Sequence, residues 1–145
     1  LVAWLGWVVL PFLLLQAVYA ASMREAVNDV EHYGFLRQKD ASGRYVRCEP
    51  EHSWNSNHLV GNLLLYQLQR HSDHHAHPSR RYQALRHFES APQLPAGYAT
   101  MIKVAYWPRL WFAWMDPRVV AHYGGDFGRV NVQASARHRL MQRWA

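Results

Sequence analysis

The apolar positions of this chain form one long uncharged run at its start and several shorter runs later. Within residues 1–23, Gln16 and Ser22 are the only clearly polar side chains, and every Lys, Arg, Asp and Glu lies at or beyond Arg24. Twenty-odd helical residues cover about 30 Å, the thickness of a bilayer's hydrocarbon core, so residues 1–23 are predicted to form a transmembrane helix. Pro11 should kink it, and Trp4, Trp7 and Tyr19 sit near its ends, where interfacial aromatics belong. The run is too long for a secretory signal and has no basic leader. No breaker follows Arg24 until Gly34. The helix is therefore expected to continue out of the bilayer and stop there, which carries His32 about 15 Å past the apolar segment.

Further along, the pattern shortens. Asp40-Ala41-Ser42-Gly43 is a turn signal that makes residues 35–48 a short hairpin. A helix is predicted from about Ser53 to His77, capped by Ser53 or Asn55, anchored by apolar residues 59–68 and ended by Pro78. Residues 83–95, with Pro92 and Pro95, read as irregular. Residues 98–115 are apolar and aromatic but interrupted by Lys103, Pro108 and Arg109. Pro108 suits the first turn of a new helix, on which Trp111, Trp114 and Met115 share a face. That face fits either a helix lying among lipid headgroups or one packed in a core. After Asp116, the residues Pro117, Gly124, Gly125 and Gly128 and the basic run Arg137-His138-Arg139 predict an exposed, partly disordered tail.

The fold class expected is an all-α membrane protein, a helical bundle in which one transmembrane helix (1–23) runs into a cytoplasmic, His-rich helical region (24–125), followed by a basic tail (126–145). The 145 residues allow one domain at most. The sequence starts inside an apolar run without Met, so it is expected to be the C-terminal part of a longer, multi-pass protein. The net charge of +6 resides wholly in the polar remainder, which places that remainder on the cytoplasmic side. Nucleic-acid binding is not expected, because no helix-turn-helix, RNP or zinc-finger pattern accompanies the charge. The lone Cys48 rules out a disulfide or a thiolate metal cage within the chain, and ten histidines point instead to nitrogen ligation in a reducing compartment.

His71, His74 and His75 fall at i, i+3 and i+4, so a helix would present all three imidazoles on one face. Neutral imidazole suits iron, zinc or copper, and the triplet alone fits a three-His zinc hydrolase as well as an iron enzyme. His77 lies three residues beyond His74. His52 and His58 suit hydrogen bonding better than ligation, and His87, His122 and His138 belong on the surface. Metal-bound imidazoles usually donate their outer nitrogen to a carboxylate or carbonyl. Glu31 and Asp73 are the nearest acidic residues for that task, each serving a ligand on another helix, unless they simply pair with an Arg.

Taken together, these residues resemble a known family. Glu31-His32-Tyr33-Gly34 followed by Leu36-Arg37, the stretch His52-Ser53-Trp54-Asn55-Ser56-Asn57, and Leu68-Gln69-Arg70-His71-Ser72-Asp73-His74-His75-Ala76 resemble histidine motifs of the membrane-bound alkane 1-monooxygenases, in the membrane fatty-acid desaturase/hydroxylase superfamily. Arg81-Tyr82-Gln83-Ala84-Leu85-Arg86, Ala91-Pro92-Gln93-Leu94-Pro95-Ala96-Gly97-Tyr98 and Trp114-Met115-Asp116-Pro117-Arg118-Val119 continue the likeness, which covers most of residues 28–125.

The resemblance implies an inner-membrane enzyme of six helical spans with two non-haem iron ions. It implies hydroxylation of the terminal methyl of medium-chain n-alkanes to 1-alkanols by O2, with electrons from rubredoxin and its NAD(P)H-dependent reductase. A terminal C–H bond is strong and offers no charge to acid–base catalysis, so a metal-based oxidant is the chemistry it needs. Carried over residue by residue, the ligands are His32, His71, His74 and His75. The remaining ligands would lie upstream, so these residues alone would be inactive. Asp29 stands where the family usually has Tyr, and Phe35 where it has Leu, both off the ligand positions. Xylene-type aromatic-methyl hydroxylases and lipid desaturases share much of the pattern, and a non-catalytic membrane-anchored metal-binding module is the alternative of another class. Arg70, Arg80, Arg81 and Arg86 cluster around the third motif and are candidates for docking an acidic rubredoxin. Positive-inside anchoring and a solvated face would account for the same charge.

Overall fold

The computed structural model describes residues 2–144; Leu1, the first residue of the predicted span, and Ala145, the last of the tail, lie outside them. Helix α1 (Val2–Leu5) is separated from the long helix α2 (Val9–His32) by Gly6, which adopts the left-handed region at φ +74°. The single helix expected over residues 1–23 is therefore interrupted near its start. No helix among the described residues is long and apolar enough to cross a membrane. The uncharged part of α2, residues 9–23, covers only about 22 Å, short of a hydrocarbon core. Pro11 falls in the first turn of α2, where its missing N–H costs no helical bond. The apolar side chains of this half still face outward: Trp4, Trp7, Phe12, Leu14, Leu15, Val18 and Tyr19 are exposed.

Beyond Arg24, α2 continues unbroken to His32, as its sequence predicts, and turns off at Gly34 (φ +82°). Two constraints meet at this glycine. A Cβ on it would lie 2.6 Å from Val119 Cγ2, and an L-residue there adopts a left-handed backbone. Gly34→Ala should destabilise the protein by about 2 kcal/mol, read as a lower midpoint of denaturant unfolding. An unchanged midpoint would show that both constraints relax freely.

The hairpin predicted for residues 35–48 survives as a turn with one antiparallel bridge, Lys39 to Tyr45, and there is no strand among the described residues. The predicted helix over residues 53–77 is replaced by two short helices, α3 (Leu59–Leu64) and α4 (His71–Ala76), with a 3-10 turn (Pro50–His52) just before that stretch. Ser53 and Asn55 cap nothing at its start; His58 stands at the N-terminus of α3. Polar side chains opposite the apolar stripe hold the break. Asn62 Nδ2 donates to the Ser56 carbonyl (3.2 Å), and Asn55 Oδ1 accepts from the Ser72 N–H (3.1 Å). These bonds hold backbone that a continuous helix would bond internally. The chain reverses through Tyr66 and Gln67 at φ 50° and 60°. As a result α3 is inside out: Asn62 is buried, while Leu59, Val60, Leu63 and Leu64 are exposed.

Helix α5 (Tyr98–Ala105) packs on α2 and on α6 (Pro108–His122), which begins at Pro108 as predicted. Of the two readings of the Trp-bearing face, the core is the one realised. Trp111 and Met115 are buried with Val30, Trp54, Tyr98, Met101 and Val104. The exposed tail predicted after Asp116 is corrected as far as Val130, while residues 131–144 keep no buried member. Helix α6 runs through Pro117 to His122, Val119, Tyr123, Phe127 and Val130 are buried, and Val130 bridges Phe35. Val119 extends the spacing Trp111, Met115 by one more turn, so the apolar face outlasts the proline. Helix α7 (Ala134–Trp144) closes the chain.

Candidate metal centre

Two helix ends build the site. His32 is the last residue of α2, and His71 opens α4, with His75 one turn further on. His71 Nε2 lies 3.1 Å from His32 Nε2 and 2.7 Å from His75 Nε2. One ligand atom from each of the three rings falls within 4.8 Å of the others. His74, from the same turn, is exposed and outside this trio, its ring centroid 6.0 Å from that of His71 and 5.9 Å from that of His75.

Burial pushes the His71 pKa down to about 3, and the neighbouring imidazoles of His75, His32 and His74 push it the same way. His32 is lowered by burial and then by His75, against a backbone hydrogen bond involving His52. His75 is lowered by burial and then by His74. These three rings therefore stay neutral at pH 7 and keep a lone pair free for a cation. Facing ring nitrogens repel unless something positive stands between them. A proton on His71 Nε2 serves one neighbour well and the other poorly, whereas a metal cation serves all three. The donor set thus fits a divalent metal that accepts imidazole, iron included.

Glu31, the residue before His32, meets the other nitrogen of the same His71 ring. Its Oε1 lies 3.3 Å from His71 Nδ1, which has no hydrogen-bond partner of good geometry. Burial raises the Glu31 pKa to about 7, while a hydrogen bond from Tyr98 pulls it back. A cation on the rings would draw Glu31 toward its ionised form and strengthen its hold on His71.

The remaining sequence candidates are placed differently. Asp73, wholly buried, binds Arg80 at 2.5 and 2.6 Å, the Arg86 N–H at 2.7 Å and His77 Nδ1 at 2.9 Å, which is the salt-bridge alternative and not a contact with the trio. His77 is engaged there as well. His52 turns its Nδ1 to the Glu49 N–H (3.0 Å), so its side chain caps its own turn. Of the four arginines around the motif, Arg80 is neutralised by Asp73 and Arg70 donates to the Leu85 carbonyl, while Arg81 and Arg86 are exposed. His58 packs beside Gly97, His122 stacks edge-on against Phe35 and Tyr123, and His87 and His138 are exposed.

Three residues to which the sequence assigned no role at the metal centre shape the site. Asn55 caps the start of α4 from a distant loop. Gln69, fully buried two residues before His71, accepts the Tyr98 N–H at 3.1 Å. Tyr98 donates its hydroxyl to Glu31 Oε1 at 3.3 Å. The cap-forming character of Asn55 and the polar Gln69 at the end of an apolar run were the available signals; Tyr98 blended into an aromatic stretch.

Residues 1–105 match the fatty acid desaturase family. The chain is 51% identical over 144 residues to the alkane 1-monooxygenase of Acinetobacter baylyi, covering 99% of this chain and 35% of that protein. It is 58% identical over 121 residues to alkane 1-monooxygenase 2 of Pseudomonas aeruginosa, covering 83% of this chain and 32% of that protein. With alkane 1-monooxygenase 2 of Alcanivorax borkumensis it shares 54% over 125 residues, 86% of this chain and 33% of that one. The chain thus spans about a third of the length of the curated relatives it matches.

Proposed function

The chain belongs to the fatty acid desaturase family, and on that footing we propose that it is part of a non-haem di-iron monooxygenase that hydroxylates the terminal methyl of medium-chain n-alkanes. The observation that supports this most is the convergence of His32, His71 and His75 from two separated helices, in a chain close in sequence to proteins named alkane 1-monooxygenase. His32, His71 and His75 would hold iron, with His74 from the same turn as a further ligand. Ligands from elsewhere in the protein complete the di-iron site. When bound, the irons supply activation of O2 for attack on an unactivated C–H bond.

The protein residues do the rest. Neutral imidazoles offer lone pairs without a competing proton. Glu31 orients His71 from behind. Val30, Trp54 and Tyr98, buried around the end of α2, exclude water from that side. The exposed apolar flank of α1 and the first half of α2 is a contiguous surface of the kind that meets lipid or apolar partner helices. We place the protein in the bacterial inner membrane as a multi-pass enzyme, with the basic remainder cytoplasmic. Rubredoxin, kept reduced by its reductase, delivers electrons near the exposed Arg81 and Arg86.

Cells expressing the full-length gene and fed a medium-chain alkane or p-xylene in separate cultures test this reading. A 1-alkanol is expected. A benzylic alcohol without alkanol would move the reading to a xylene-type hydroxylase, unsaturated lipid to a desaturase, and no product to a non-catalytic module.

A further inference from the structure

Tyr98 reaches the surroundings of His71 from two directions. It opens α5 and is 1% exposed, its ring packed in the core with Val30, Trp54 and Met101. Its backbone N–H is held by the side chain of Gln69, two residues before His71 in the chain (3.1 Å). Its hydroxyl donates to Glu31 Oε1 (3.3 Å), the same oxygen that stands 3.3 Å from His71 Nδ1. A carboxylate oxygen has two lone pairs, so it can accept from the phenol and from an imidazole N–H together. One buried residue, through its backbone N–H and its hydroxyl, thus ties α2, α5 and the lead-in to α4 at the outer edge of one imidazole.

We propose that Tyr98 is a positioning residue: through Glu31 it fixes the rotation and tautomer of the His71 ring. With Glu31 held from behind, the proton of His71 belongs on Nδ1, and Nε2 is left bare toward His32 and His75. Without the phenol, the carboxylate can rotate away, and the ring loses the partner that selects its tautomer. The proposal rests on the reading of His32, His71 and His75 as iron ligands.

The test uses the full-length enzyme loaded with ferrous iron, with Tyr98→Phe and Glu31→Gln as separate variants and as a pair. Tyr98→Phe removes one oxygen and keeps the ring that fills the core. Two quantities are read: the rate of iron release to a ferrous chelator, and the near-infrared magnetic circular dichroism of the ferrous site. Each single variant should release iron about 10–100-fold faster, the range typical of losing a ligand's outer partner, with shifted ligand-field bands. Because both residues act on one ring, the double variant should be little worse than the worse single one. Parental release and parental bands in Tyr98→Phe would overturn the proposal. So would the same result in Glu31→Gln, which serves if the phenylalanine variant does not accumulate. His71→Ala with a full complement of iron would instead overturn the ligand reading beneath it.

Discussion

Replacing His71 by Ala in the full-length protein should abolish alkane hydroxylation and strip iron from the site. His71 is the ring that both others face, its Nε2 lying 3.1 Å from His32 and 2.7 Å from His75. Removing it leaves His32 and His75, ring centroids 4.9 Å apart, as two imidazoles where three had converged. The loss of activity should exceed about 100-fold, the upper end expected for losing a ligand's outer partner alone. Product formation and iron per chain, measured on the same preparation, check this. Retained iron with full activity would remove His71 from the centre altogether.

The largest effect on stability is expected from Asp73→Asn. Asp73 has no exposed surface and receives donors from Arg80, His77 and the Arg86 backbone. Breaking a buried pair by neutralising one partner strands the other charge, and costs of 3–5 kcal/mol are typical; Arg80 keeps some contact with water, so about 3 kcal/mol is expected here. The carboxylate also carries a pH signature. Burial alone would raise its pKa, but the Arg86 N–H, Arg80 and His77 outweigh it and the net shift is downward. A depressed carboxylate stabilises the fold above its unfolded pKa of about 3.9, and that stabilisation fades as the pH falls through the folded value. The gap in unfolding midpoint between parent and variant should therefore be wide at pH 7 and narrow below about pH 4. A gap that did not change with pH would mean that the charge of Asp73 contributes nothing to the fold.

What could be read from the sequence divides by how local the controlling physics is. The continuation of α2 to His32, the stop at Gly34 and the start of α6 at Pro108 depend on residues within a turn of each event, and all three were legible. The fate of residues 53–77 was not. Their apolar spacing is helical, but Asn55 and Asn62 bond to backbone that only the folded chain brings near, and the helix gives way to loops. The break at Gly6 was missed for a related reason. One glycine in an apolar run reads as tolerated, while here its left-handed backbone separates α1 from α2. Beyond Asp116, Pro117 and the later glycines suggested disorder, yet Val119, Tyr123 and Val130 find the core left open beside Phe35. At the site, the histidine spacing marked His71, His74 and His75 as sharing a face. That His74 stands apart from the other two, and that Glu31 and Tyr98 meet behind His71, depends on how α2, α4 and α5 dock, which no local pattern encodes.

Helix α2 links two tasks by a single unbroken rod. Its first half shows apolar side chains to the outside, and its last residue points an imidazole into the histidine cluster. Successive residues on such a rod are offset by about 100°. One residue gained or lost between Val9 and Glu31 would therefore swing His32 by more than a quarter of a revolution relative to the outward-facing flank. Evolution can exchange side chains along this segment far more freely than it can change its length. The angular phase of the rod, more than the identity of any one residue midway along it, keeps the reactive end aligned with the greasy end.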